Sequence, residues 1–383
     1  MINISKLWCG LGSDSDKMRY QRRGEGKPIA VFNITSKCNL KCLHCYAGST
    51  CTALGEEMST AKAKNVITEL AEYGCPVVLL SGGEPLMRDD FFELAAHSTR
   101  QNVRTVISTN GTLITYERAQ QMAALGIGYA GVSLDGPEKL HDHFRGAKGA
   151  FAAALRGIDN CNKAGVKTGL RFTMTADNIT HVAEIFEIAK RTGVRRVCFY
   201  HLVRTGRGAA MKSQCPAKVQ TRRAIETIAQ KTHEYVQAGL LDEVLTVGNH
   251  ADGPYLMLLM KNTKHANYNK AYDLLLANGG NRSGQGICSI SWEGSVYADQ
   301  FWRNYSLGNV NKNSFRLIWD NPLDPVLKML RDKDHYADVR CQSCRWFSIC
   351  KGNYRFLGDD PSIENWMLEP DCYLNDEEIA IGE

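Results

Sequence analysis

The chain has 383 residues, 44% of them hydrophobic and 23% charged, with a net charge of +5 and 14 cysteines. That length exceeds the roughly 250–300 residues a single core supports, so two modules of ordinary globular composition are expected. The mild, scattered positive charge forms no basic stripe interleaved with aromatics, which excludes nucleic acid as the expected partner and suits a polycarboxylate at least as well. No run of 18 or more apolar residues occurs, and the opening Met1-Ile2-Asn3-Ile4-Ser5-Lys6 does not read as a signal peptide. The cysteines therefore point to a reducing, cytoplasmic compartment without a membrane span, not to disulfides.

From about Ile29 to Leu202 short β-rich runs alternate with helical stretches. Strands are predicted at Ile29–Ile34, Val77–Leu80, Thr105–Ser108, Tyr129–Leu134, Thr168–Met174 and Val197–Leu202, and helices at Thr60–Tyr73, Tyr116–Leu125, Phe151–Ala164 and Ile179–Thr192. Six such units predict an α/β fold, an open partial (β/α)6 TIM-type barrel with a parallel sheet and ligand chemistry at the carboxyl ends of its strands. From about Cys215 to Ala277 the chain reads as helical with a break near Thr246–Pro254, and from Asn281 onward as short-stranded and punctuated by cysteines. The expected division is an N-terminal extension (1–28), the barrel (29–230), a helical connecting segment (231–280) and a small cysteine-punctuated C-terminal unit (281–383).

The densest motif is Cys38-Asn39-Leu40-Lys41-Cys42-Leu43-His44-Cys45. Three thiolates so spaced hold three irons of one [4Fe-4S] cube and leave the fourth iron open to a cofactor, whereas a ferredoxin-type run supplies four cysteines because it only passes electrons. Cys51 lies at a spacing that suits neither arrangement, and zinc or chance is the alternative. Downstream, Ser81-Gly82-Gly83-Glu84-Pro85, Ser108-Thr109-Asn110-Gly111 and Ser133-Leu134-Asp135-Gly136 each cap an apolar strand with residues that let backbone or polar groups meet a ligand. Arg171 offers a planar fork that suits a carboxylate. Cys75, Cys161 and Cys198 stand in apolar or helical contexts as small buried hydrophobes. A second set, Cys341, Cys344, Cys350 and Cys372, can close a site completely around zinc or an iron–sulfur centre.

The first cysteine run resembles the signature of the radical S-adenosylmethionine (SAM) enzymes, in which the open iron chelates the amino and carboxylate groups of SAM. The resemblance implies a SAM-amine site at Gly82, Gly83 and Glu84, cofactor contacts at Ser108 and Asn110, ribose bonds from Ser133 and Asp135, and the methionine carboxylate on Arg171. His44 would lie beside the adenine in a packing role. Gly294–Phe301, Leu307-Gly308-Asn309-Val310 and Phe315–Trp319 resemble the SPASM/Twitch extension of these enzymes, which houses auxiliary clusters. Asp299 and Tyr354 stand where two ligands of one such cluster would be, and Cys288 is spaced too closely to Asp299 to match the remaining ones. The implied complement is one auxiliary [4Fe-4S] cluster on Cys341, Cys344, Cys350 and Cys372, and two clusters in all.

Ile4–Gly10, Tyr200–Gly208, Thr246–Tyr255 and Asp299-Gln300-Phe301-Trp302 together resemble the tetrapyrrole branch of the family, which contains the didecarboxysiroheme deacetylase of an alternative haem pathway and the haem d1 enzyme NirJ. The N-terminal segment leans toward the deacetylase. The implied chemistry is reductive cleavage of SAM to a 5′-deoxyadenosyl radical, fed by a low-potential donor such as ferredoxin or flavodoxin, then hydrogen abstraction from the tetrapyrrole and release of acetate. A macrocycle bearing acetates and propionates needs cations, and Arg204 and Arg207 lie just past a strand end. His201 and His250 are candidates to ligate its iron or to bond its carboxylates, and Asp252 and Asp299 are candidates for proton transfer or turn residues beside glycine. The alternatives are NirJ-type removal of propionates, a peptide maturase, for which the 37 residues before Cys38 are too few to form a leader-binding domain, and a non-catalytic iron–sulfur protein that does not cleave SAM.

Overall fold

Apolar runs bounded by glycine and amphipathic helices assemble into β1 (Ile2–Asn3), β2 (Ile29–Thr35), β3 (Val77–Gly82), β4 (Arg104–Thr109), β5 (Ala130–Ser133), β6 (Thr168–Met174), β7 (Arg196–His201), β8 (Glu243–Val247), β9 (Ile287–Ile290), β10 (Ser295–Tyr297) and β11 (Gly308–Asn309). The computed structural model describes residues 1–12, 26–353 and 372–380. Among these, one sheet runs in the order β1-β8-β7-β6-β5-β4-β3-β2-β9-β10-β11. β2 to β7 are the six strands expected from sequence, each parallel to the next. β2 is buried along nearly its whole length and reads as a nearly continuous apolar run, whereas β4 alternates buried with half-buried or exposed positions. Among the described residues no helix is long and apolar enough to cross a membrane.

The stretch expected to be helical with one break contains β8, which pairs parallel to β7 and antiparallel to β1. Glu243-Val244-Leu245-Thr246-Val247 is β-branched but short, and its partners lie far away in sequence, so local periodicity hides it. At the opposite edge β9 joins β2 in parallel, and β10 and β11 continue antiparallel. The C-terminal unit thus extends the barrel sheet itself.

The helix Thr60–Tyr73 begins where Ser59 Oγ accepts from Lys62 N and ends at Gly74, whose φ of 92° suits glycine. Its buried stripe of Ala63, Val66, Ile67 and Leu70 covers the face of β2 and β3. A second core lies over β6 to β8, where Phe199 sits 5.5 Å from Phe186 and 5.9 Å from Phe172 by ring centroids. Replacing the fully buried Phe199 with alanine is expected to cost about 3–5 kcal/mol, read as a lowered unfolding temperature; a loss under roughly 1 kcal/mol would contradict this packing.

Candidate active site

The loop carrying Cys38, Cys42 and Cys45 leaves the carboxyl end of β2 without regular structure, so its backbone groups find partners on other elements. Lys41 N donates to Arg145 O at 3.0 Å, Leu43 N to Phe144 O at 2.9 Å, and Cys38 N to Thr50 O at 2.7 Å. Arg207 clamps it from the far side, with Nε donating to Cys42 O at 2.8 Å and Nη1 to Ser49 O at 2.7 Å. Arg207, expected from sequence to face substrate carboxylates, instead spends its guanidinium on the cysteine loop.

The thiols meet donors that sulfur ligands of a cluster require. Cys38 Sγ accepts from Leu40 N at 3.4 Å and faces Asn110 Nδ2 at 3.9 Å, and Cys42 Sγ accepts from Arg145 Nη1 at 3.5 Å. Burial pushes the Cys38 thiol up to about 12 and raises that of Cys42, so thiolates here need a cationic centre beside them. An open-iron cube fits this donor set.

A cavity of about 1020 Å³, open to solvent, lies over these thiols at the carboxyl ends of the strands. Of the residues expected to hold SAM, His44, Gly82, Gly83, Ser108, Asn110, Ser133 and Arg171 line it. Arg171 Nη1 donates to Ser108 Oγ, and its Nε has no partner among the described residues. His44 packs edge-on against Phe144, and burial lowers its imidazole to about 4.

Glu84 and Asp135 face away from the cavity. Glu84 accepts from Asn110 N at 2.8 Å, Thr109 Oγ1 at 2.8 Å and Leu86 N at 3.2 Å, which ties β3 to the loop after β4. Asp135 Oδ2 pairs with Arg145 Nη2 at 2.5 Å, and Oδ1 accepts from Thr173 N at 3.1 Å. Burial pushes its carboxyl up, but Arg145, with His44 and His141, outweighs this and holds it below the usual carboxylate range. Sequence reasoning missed Arg145, whose only local signal was its place at the end of the helix Glu138–Arg145 that follows the Ser133–Gly136 cap. It gave no site role to Tyr46, nor to Tyr200, Gln300 and Phe301, which it marked only within longer segments, and all four line the cavity; Tyr46 Oη donates to Asn33 Oδ1 at 2.9 Å and its ring meets Phe301 edge-on at 5.5 Å.

Among the expected substrate residues, His201 lines the cavity, and its Nε2 lies 3.0 Å from Oδ2 of the fully buried Asp252. Arg204 keeps Nε and Nη2 without partners among the described residues but does not line the cavity. His250 lies apart from it, with Nδ1 3.3 Å from Asn353 Oδ1. Asp299 caps a turn by accepting from Phe301 N at 2.7 Å and Trp302 N at 3.1 Å, and so aims Gln300 and Phe301 into the cavity. Tyr354 lies outside the described residues.

Cys341, Cys344, Cys350 and Cys372 line a separate cavity of about 450 Å³ with Trp346 and Phe347. Arg340 Nη1 donates to Cys372 Sγ at 3.5 Å and Trp346 N to Cys344 Sγ at 3.4 Å. Burial pushes Cys341 up to about 12 and Cys350 higher still, so four thiolates in this apolar space again fit a cationic cluster.

The radical SAM superfamily matches residues 32–202, and the SPASM iron–sulfur cluster-binding domain matches residues 282–345. These are enzymes that use SAM and iron–sulfur clusters. The Fe-coproporphyrin III synthase of Methanosarcina barkeri is 43% identical over 100% of both chains. The pre-heme d1 synthase of Dinoroseobacter shibae is 35% identical over 92% of this chain and 87% of its own. The crystal structure of Streptococcus suis SuiB bound to its precursor peptide SuiA shares the fold at a TM-score of 0.70 and 17% identity, over 94% of this chain and 80% of that one. The chain belongs to the tetrapyrrole-modifying radical SAM family.

Burial pushes the Glu84 carboxyl up to about 7 despite the donors that favour its ionised form. Folding therefore takes up a proton there, and a stabilisation on the order of 3 kcal/mol, fully present below the ordinary carboxyl range, is lost as the pH rises through about 7. Unfolding temperatures measured from about pH 5.5 to about pH 7.5 should fall more steeply in the wild type than in Glu84→Gln; parallel profiles would contradict the shift. Arg145→Met strands the buried Asp135 carboxylate and should cost about 3–5 kcal/mol together with iron at the first site, measured by thermal unfolding and iron content per chain.

Proposed function

We propose that the protein removes the acetate side chains of 12,18-didecarboxysiroheme, using SAM at the Cys38/Cys42/Cys45 cluster, to give iron coproporphyrin III. The observation that carries this reading is the end-to-end likeness, at 43% identity, to a protein named as an Fe-coproporphyrin III synthase. Loss of two acetates from that substrate leaves the four propionates and four methyls of a coproporphyrin, so a deacetylase and such a synthase describe one reaction by its substrate and by its product. The reading includes two [4Fe-4S] clusters, the second on Cys341, Cys344, Cys350 and Cys372, a low-potential ferredoxin or flavodoxin as electron donor, and a cytoplasmic location.

When bound, the open-iron cluster and SAM supply a 5′-deoxyadenosyl radical for hydrogen abstraction. The chain's own part is orientation and exclusion of water. Arg171 presents a guanidinium to a carboxylate, Asn110 and Arg145 donate toward the cluster sulfurs, and Ser133 offers a hydroxyl to the ribose. Leu202, Val203 and Phe301 wall the cavity with apolar surface where a macrocycle lies, and Arg204 is the nearby cation for its carboxylates. Removal of propionates is the second reading, favoured by the 35% likeness to a pre-heme d1 synthase.

The test is anaerobic reconstitution with SAM, reductant and didecarboxysiroheme, resolved by mass spectrometry. Loss of two acetates with matching 5′-deoxyadenosine is expected; loss of propionate carbon would transfer the protein to the second reading, and an untouched tetrapyrrole would sink both. Cys42→Ala should abolish 5′-deoxyadenosine while sparing iron at the second site, and Cys344→Ala should remove about four irons while sparing the first.

A further inference from the structure

We infer that His201 is an axial ligand to the iron of the bound tetrapyrrole, through Nδ1, with Asp252 and Tyr373 as the groups that position it. The inference rests on the tetrapyrrole reading above and adds how the iron is held. His201 closes β7 at the carboxyl end of the sheet, and its side chain, 13% exposed, borders the cavity. Its Nε2 lies 3.0 Å from Asp252 Oδ2, and Asp252 Oδ1 accepts from Tyr373 Oη at 2.7 Å. A carboxylate bonded to one ring nitrogen holds the N–H on that side, so the other nitrogen keeps its lone pair. Nδ1 has no hydrogen-bond partner among the described residues. A carboxylate behind an imidazole that faces open space is the arrangement in which histidine ligates metals, since the outer bond fixes the ring and raises its basicity.

The other two imidazoles considered for the iron are placed differently. His44 lies within the cysteine loop, and the carboxylate nearest it, Asp135 at 3.7 Å, is already committed to Arg145 at 2.5 Å. His250 does not line the cavity, and its Nδ1 and Nε2 face Asn353 Oδ1 at 3.3 Å and the N-terminal ammonium at 3.4 Å. Of the three, His201 joins a carboxylate partner on one ring nitrogen to a place on the cavity wall and a second nitrogen without a hydrogen-bond partner among the described residues.

The test needs no turnover. Ferric iron coproporphyrin III is titrated into the anaerobic, cluster-loaded protein without reductant or SAM, so that oxidised [4Fe-4S] clusters are silent in electron paramagnetic resonance and the ferric porphyrin is read alone, alongside its Soret band. The wild type should give an imidazole-ligated spectrum that His201→Ala loses and added imidazole restores, with cluster iron unchanged as a check on folding. Asp252→Asn, which keeps the ring but weakens its partner, should lower affinity on the order of 10- to 100-fold. Binding with the same spectrum in wild type and His201→Ala, or equal affinity in Asp252→Asn, would overturn the axial ligand and leave the tetrapyrrole reading standing. Failure of the wild type to bind the porphyrin would overturn both.

Discussion

The candidate active site depends on holding an irregular loop of buried backbone at the rim of a parallel sheet. A loop that must present three thiols cannot satisfy its own amides, and each unpaired buried group costs about as much as a lost hydrogen bond. Neighbouring loops supply the partners at contact distance. A Cβ on Gly83 would stand 2.2 Å from Lys37 O, and one on Gly206, whose φ is +58°, would stand 2.4 Å from Tyr46 O. Glycine at these two positions lets the loops after β3 and β7 grip opposite sides of the cysteine segment. The placement of the three sulfurs is therefore a property of the barrel rim, and not of the cysteine spacing alone.

Charge is distributed by the same logic. Arg145 meets the Asp135 carboxylate and the Cys42 sulfur with one guanidinium, and its own carbonyl accepts from Lys41 N. A buried cation held between two anionic groups is compensated on both sides, whereas removing either partner would leave an unpaired charge in a dry site. The carboxylate that resemblance assigns to ribose thus anchors the arginine that meets the Cys42 sulfur. Its neighbour Ser133 is left to face the cavity.

What could be read in the sequence was what is local. Thr60–Tyr73 was legible because a serine cap, a buried stripe at helical spacing and a terminal glycine agree. The three polar strand caps were legible because glycines and hydroxyls end apolar runs. Pairings across long separations were not. Arg207 read as a substrate cation because it follows a strand end, yet its partners are carbonyls on the Cys38–Cys45 loop and at Ser49. Asp299 read either as a proton carrier or as a turn residue, and its oxygens are taken by two backbone amides of the turn and by Ser283. In both cases a partner of the side chain was set by tertiary structure, across separations that a local reading does not span.

The C-terminal unit is more than a carrier for four cysteines. β9 continues the barrel sheet beside β2, and the turn capped by Asp299 delivers Gln300 and Phe301 to the cavity that holds the first set of thiols. On the far side, Tyr373, adjacent in sequence to Cys372, donates to Asp252 behind His201. Two walls of the same cavity therefore take their shape from the segment that carries the second cysteine set. Disturbing the packing of that segment would move groups on the cavity wall even if no electron passed between the two cysteine sites. A loss of activity on removing Cys344 or Cys372 is thus not by itself a sign of electron transfer; it must be weighed against displacement of Phe301 and of the His201–Asp252 pair, which are bonded to the same fold.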